Sequence, residues 1–249
     1  MMDPPPSRRR GPLRLDAYLA RAGLASRREA RGLIRRGAVA VAGEVCREAD
    51  RRVLEGEAVT LRGEPVASPV EPLDLLLHKP VGLSCSHDGR ESPLVFDLLS
   101  EPLRRRGLRI VGRLDRATSG LLVLTTDGDL VHRLTHPARK LPKRYRIAYE
   151  GTLASDAEER CREGLWLPGE DRPTRTAELT LEGAGRASLV LREGRTHQVR
   201  RMIRLLGAEV VGLHRDRVGS LQLPEDLAPG SWRPLSSEER SLLSSESSL

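Results

Sequence analysis

The sequence predicts an α+β protein in two unequal parts, and three observations carry that prediction. Apolar residues fall at helical spacing over residues 15–35 and give way to short extended runs; three prolines crowd residues 64–72; and from residue 73 onward strands and helices intersperse without regular β-α-β alternation. The larger part is therefore expected to hold a mixed, largely antiparallel sheet flanked by helices and loops. A chain of 249 residues exceeds one domain of about 150, which fits a small domain joined to a larger one.

Residues 1–12 are rich in Pro and Arg and are expected to form a disordered basic tail. Residues 15–23 have helical apolar spacing, and Gly23 suits a left-handed C-terminal cap. Ser26 and Glu29 form a Ser-x-x-Glu capping box for a second helix. Ala30, Leu33 and Ile34 are its apolar face, Arg28, Arg31 and Arg35 lie on another, and Gly37 ends it. Val39-Ala40-Val41 reads as a strand, Ala42-Gly43-Glu44 as a turn, and Val45 resumes the extended pattern. Residues 50–62 read as further short strands with Val53, Val59 and Leu61 buried. This helix-helix-strand arrangement over residues 13–62 resembles the S4-like RNA-binding domain.

Residues 63–72 are assigned to a linker and residues 73–236 to the larger domain. Within it, residues 73–78 are a buried strand that ends at Lys79-Pro80-Val81-Gly82, and residues 121–124 are another. Residues 126–129 cap a helix that Pro137 stops. Residues 144–149, 187–191 and 209–213 alternate like strands; between the last two, Val199, Met202, Ile203 and Leu206 make one helical stripe closed by Gly207. Residues 237–249, rich in Ser and Glu, are expected to be a loose tail.

Charge is clustered rather than merely abundant. The formal net charge is +7, from 42 Lys plus Arg against 35 Asp plus Glu; residues 8–36 hold ten Arg and two acids, and residues 133–146 hold six basic residues and no acid. A polyanion is the partner such clusters suit. Six aromatic residues, Tyr18, Phe96, Tyr145, Tyr149, Trp166 and Trp232, are too few for a sheet of stacking platforms, so the nucleic acid is expected to be gripped through its backbone.

Several chemistries are excluded. Cys46, Cys85 and Cys161 are isolated and odd in number, which argues against a disulfide framework and fits a reducing cytoplasm. No run approaches the roughly 20 apolar residues of a membrane span, and the N-terminus lacks the apolar core of a signal peptide. His132 and His136 have zinc-helix spacing, but Arg133 stands where the catalytic Glu belongs. Neither a Gly-x-Ser-x-Gly elbow nor a phosphate-cradling or dinucleotide glycine motif occurs. The chemistry is expected to need no metal and no cofactor.

What remains is a carboxylate among cations. Asp115 sits in Gly112-Arg113-Leu114-Asp115-Arg116-Ala117-Thr118-Ser119-Gly120, directly before an apolar strand, where an acid is costly to place and suits chemistry. Lys143-Arg144-Tyr145 offers a ring beside positive charge, and residues 193–202 place a second basic cluster at a helix start. Gly112-Arg113-Leu114-Asp115 with Thr118-Ser119-Gly120-Leu121, Lys79-Pro80-x-Gly82, Tyr145, and Arg195-Thr196-His197-Gln198-Val199-Arg200-Arg201-Met202 together resemble the S4-domain-containing ribosomal RNA pseudouridine synthases of the RsuA type, over residues 13–235.

The resemblance implies isomerisation of a uridine in ribosomal RNA, without cofactor, by a cytoplasmic monomer. It implies that Asp115, Tyr145 and Arg200 are catalytic, with Arg200 the counterion of an ionised Asp115. RNA contacts are expected at Arg113, Lys79, His197 and Arg201, and at Arg27, Arg28, Arg31 and Arg35 in the small domain. The forms Val81-Gly82-Leu83-Ser84-Cys85-Ser86 and His197-Gln198-Val199-Arg200-Arg201 favour 16S rRNA over 23S rRNA. Asp115 could attack ribose C1′, add to uracil C6 or act as a base, and the residues alone leave these routes open. From another class, a non-catalytic ribosome-assembly factor is the alternative.

Overall fold

The structure, a computed structural model, describes residues 12–67, 72–135 and 141–243, and parts into two units between Glu71 and Pro72. In the first unit, β1 (Leu13–Arg14) runs into α1 (Leu15–Arg21), and α2 (Arg27–Arg35) follows. The Ser26 hydroxyl accepts from Glu29 N (3.3 Å) and the Glu29 carboxylate accepts from Ser26 N (2.8 Å), so the expected capping box starts α2. Four short strands complete a sheet of order β3-β2-β5-β6: β2 (Val39–Val41), β3 (Glu44–Val45), β5 (Val59–Leu61) and β6 (Glu64–Pro65), while β4 (Arg52–Val53) pairs with β1. Leu15, Leu19, Ala30, Ile34, Val39 and Val59 form the core.

Two expectations are corrected here. The sequence places the linker from residue 63, but β6 and the buried Val66 belong to the first unit, because Thr60 and Leu61 offer an open sheet edge to Pro65 and Glu64. The tail expected over residues 237–249 begins instead with α7 (Ser237–Leu242). Ser236 and Glu239 form a capping box, Arg240 bridges Asp74 and Asp127, and Leu243 is buried, so three contacts dock a segment whose composition suggests none. Residues 1–11, His136, Pro137 and residues 244–249 lie outside the described residues.

The second unit is built on one sheet of order β11-β12-β10-β13-β9-β7-β15. Its strands are β7 (Asp74–Lys79), β9 (Ser119–Thr125), β10 (Lys143–Gly151), β11 (Glu178–Gly183), β12 (Arg186–Leu191), β13 (Ala208–Val218) and β15 (Trp232–Pro234), with β8 (Arg109–Val111) on β9 and β14 (Leu221–Gln222) on β13. Every pairing is antiparallel except β9 with β13, as the largely antiparallel expectation requires. The uninterrupted apolar runs of β7 and β9 follow from burial on both faces. Leu75, Leu77, Leu122 and Leu124 face one cluster, and Leu76, Leu121 and Val123 face another.

Among the described residues, four α-helices besides α7 accompany this sheet: α3 (Glu101–Arg104), α4 (Gly128–Thr135), α5 (Ala157–Glu163) and α6 (Gln198–Leu205). The expected stripe of Val199, Met202, Ile203 and Leu206 places α6 on the core that also holds Ile147, Leu189 and Leu213. Gly207 leaves the helix at φ 102°, a backbone conformation that favours glycine.

Candidate active site

Asp115 lies in the loop between β8 and β9, and what distinguishes that loop is where its carbonyls go. The Lys79 ammonium, at the end of β7, donates to Thr118 O (2.8 Å), Pro80 O (2.9 Å) and Arg116 O (3.4 Å). Arg215, in the middle of β13, donates to Leu121 O (2.8 Å from Nη2, 3.1 Å from Nε), Gly112 O (3.0 Å) and Arg113 O (3.4 Å). Arg200, on α6, donates to Ala117 O (3.0 Å) and Val210 O (2.9 Å). Three cations from three elements thus draw the peptide oxygens inward, and the Asp115 side chain, 41% exposed, stays at the rim.

Lys79 and Arg215 are 0% and 1% exposed. Buried charges of that kind are costly unless carboxylates or dipoles solvate them, and here peptide dipoles do so. Burial pushes the Lys79 amine below its ordinary value, and the nearby charge of Arg215 adds to this; attraction to Cys85 and Asp115 opposes it. Positive charge is therefore held near Asp115 by groups whose hydrogen bonds go to peptide oxygens and not to its carboxylate.

The neighbours of Asp115 follow from the same geometry. Leu114 is buried in a cluster against which Tyr145 also packs. Leu114 N donates to Cys85 Sγ (3.5 Å), and burial holds the Cys85 thiol above its ordinary value. Tyr145 is half-buried on β10 at a register shift, opposite Arg215. His197 Nε2 stands 3.8 Å from Asp115 Oδ1. His197 precedes α6 at φ 50°, in the sparsely populated left-handed region. Gly120 permits the close seam of β9 and β13: at φ 117°, a Cβ there would meet Arg215 O at 2.1 Å.

Lys143, two residues before Tyr145 on β10, is a further cation of the region. Burial and the charge of Arg215 push its amine down to about 8, and it donates to Leu141 O (3.2 Å).

Several expected roles are corrected. Arg200 forms no ion pair with Asp115 among the described residues; it donates to Ala117 O and Val210 O, and the ring that stands beside Asp115 is that of His197. Lys79 is not an RNA contact, because it is fully buried under the loop. Arg201 reaches Glu170 Oε1 (2.6 Å) and Pro168 O (2.7 Å), so it braces a neighbouring loop. Arg113 is exposed, with only its carbonyl held.

In the first unit, Asp16 is fully buried and accepts from Arg31 (2.9 Å), Arg27 (3.1 Å) and Arg14 (3.3 Å). Burial alone would raise its carboxyl, but hydrogen bonds from Arg14, Arg31 and Arg27 outweigh that and lower it. Arg27 and Arg31 thus each lend part of their guanidinium to Asp16, while their side chains stay 37% and 53% exposed. The exposed Arg28 and Arg35 have no side-chain partner among the described residues, and Arg28 lines a shallow cleft with Ser26, Gly32 and Arg36.

Sequence reasoning passed over Arg215. Its signal was a charged Arg-Asp pair continuing the strand that Val210, Val211 and Leu213 begin. Among the described residues no group of three or more His, Cys, Asp or Glu could hold a metal ion, and no helix is long and apolar enough to cross a membrane.

Comparison with known proteins agrees with this architecture. The model of the RNA pseudouridylate synthase family matches residues 74–205, and that of the S4 domain matches residues 13–59. An uncharacterized RNA pseudouridine synthase of Aquifex aeolicus is 38% identical over 228 residues, covering 91% of this chain and 94% of that protein. Ribosomal small subunit pseudouridine synthase A of Escherichia coli K12 is 39% identical over 227 residues, covering 91% and 98%. A solved structure described as a pseudouridylate synthase superposes with a TM-score of 0.68 at 35% identity, covering 93% and 99% of the two chains. With two domain models matched in order and more than nine-tenths of each of these chains aligned, the chain belongs to the RNA pseudouridylate synthase family, with an S4 domain at its N-terminal end.

Proposed function

We propose that this chain isomerises uridine to pseudouridine in ribosomal RNA, with 16S rRNA as its substrate and Asp115 as the reacting carboxylate. The observation that carries the proposal is a partly exposed acid on a loop whose peptide oxygens are held by Lys79, Arg200 and Arg215. The names of the relatives, ribosomal small subunit pseudouridine synthase A among them, support the small-subunit choice.

The reaction breaks the bond between uracil N1 and ribose C1′, turns the base, and forms a bond between C5 and C1′; the C5 proton leaves and N1 gains one. Atoms and electrons balance within the nucleoside, so no oxidant, reductant or nucleotide is required. Attack at C1′, addition to C6 and proton abstraction each need a carboxylate oxygen free of a tight salt bridge, and the buried cations are bonded to peptide oxygens rather than to that carboxylate. Tyr145 stacks on the uracil and brings its hydroxyl near C5. The uridine must leave its helix to reach Asp115, a step that costs a few kcal/mol, and the exposed Arg113 fills the space it vacates. Arg28 and Arg35 hold phosphates through the S4 domain.

Tritium release from C5-labelled uridine in unmodified 16S and 23S rRNA transcripts tests this. The native protein is expected to release tritium from 16S rRNA, and Asp115→Ala to release none above background. Equal release by both would leave Asp115 without a chemical role, and release from 23S rRNA alone would reassign the substrate.

A further inference from the structure

We propose that Trp166 is a stacking platform for an unpaired base of the bound RNA, a role that rests on the chain acting on RNA. Leu165 and Leu167 are 3% and 2% exposed and anchor the segment in the core, while Trp166 between them is 64% exposed. The indole makes no hydrogen bond or ring contact among the described residues. Folding gains nothing from a large apolar ring held in water.

The loop that presents the ring is braced. Leu165 N donates to Thr174 Oγ1 (2.9 Å) and Thr174 N to Leu165 O (2.8 Å). Arg201 grips Pro168 O (2.7 Å) and Glu170, and Arg195 grips Pro173 O (2.5 Å) and Arg172 O (3.0 Å). A ring presented on a braced loop loses little conformational freedom on binding, which is what a contact site requires.

Charge and position select the occupant. Glu170 is neutralised by Arg195 and Arg201, and Glu193 accepts from Arg175 N and Gln198. The exposed Arg162, Arg172 and Arg175 have no side-chain partner among the described residues, and Glu158, Glu159, Glu163, Asp171 and Glu178 are exposed acids of the same stretch. A single exposed ring without an apolar surround lacks the apolar centre of a protein interface, whereas one ring is enough to stack one base. The loop is continuous with the active site: Arg201, which grips it, is one helical turn from His197, and His197 is the residue beside Asp115. RNA bound at Asp115 thus lies beside the helix whose Arg201 holds this loop.

Acrylamide quenching of tryptophan fluorescence reads the stacking directly. Trp232 is half-buried, with its indole N–H donating to Leu98 O (3.3 Å), so the difference between the native protein and Trp166→Phe isolates the signal of Trp166. Binding of 16S rRNA transcript is expected to shield Trp166 from acrylamide, and Trp166→Ala to weaken binding about 5-fold or more, with Trp166→Phe weakened less. Native protein that binds the transcript with Trp166 still quenchable, or Trp166→Ala binding with unchanged affinity, overturns the proposal and leaves the RNA reading intact. Native protein that binds neither 16S nor 23S transcript sinks both.

Discussion

Arg215 shows how one side chain can govern a reaction it does not touch. Its guanidinium joins Gly112 O and Arg113 O at one end of the loop to Leu121 O at the other, and so fixes the span that carries Asp115. Arg215→Lys keeps the charge but cannot reach both ends at once. It is expected to lower kcat about tenfold to a hundredfold, at 1.4 kcal/mol per factor of ten, while KM stays within about twofold. Single-turnover tritium release on 16S rRNA checks this positioning role. A matched rise in KM with kcat unaltered would instead make Arg215 an RNA contact.

At the scale of elements, two seams carry the architecture. Gly120 lets β9 approach β13 at their parallel pairing, with Arg215 O occupying the place of a Cβ. Gly120→Ala is expected to destabilise the second unit by at least about 2 kcal/mol, combining left-handed strain with a backbone clash; a thermal melt unchanged from the native one would refute the packing described. The second seam is Asp16, which draws Arg14, Arg27 and Arg31 onto the start of α1. Because its carboxyl is lower in the folded than in the unfolded chain, Asp16 contributes fully above the ordinary aspartate value of about 3.9 and loses that contribution as pH falls through the folded value. Asp16→Asn is expected to cost about 2 kcal/mol at neutral pH, less than a fully buried pair because the arginines are part-exposed. It should also flatten the loss of stability between neutral pH and acid. An acid limb as steep as the native one would remove Asp16 from the account.

At the scale of the whole molecule, the proposed grip on RNA depends on which cations keep clear of an acid. Arg28 and Arg35 remain available in the first unit, whereas Arg27 and Arg31 are engaged by Asp16. Replacing Arg28 and Arg35 together by Ala is expected to leave folding unchanged and to reduce the salt dependence of rRNA binding by about 0.7 to 0.9 of a log unit for each phosphate no longer neutralised. A wild-type slope, measured by titration across salt concentrations, would move the electrostatic footprint away from α2.

Local pattern alone determined a great deal of this protein. The capping box at Ser26 and Glu29, the stripe on α6, the paired apolar runs of β7 and β9, and the run around Asp115 are all encoded by neighbours in the chain. Short-range rules suffice for these because backbone periodicity and capping act over a few residues. The partners of each cation were decided only by the tertiary structure. Arg215 reads as an ordinary basic residue and Lys79 as an RNA contact until β7 and β13 bring them under a loop that lies far from both in the chain. Which acids and carbonyls a guanidinium meets depends on which strands become neighbours, and that is set by burying the whole apolar surface at once.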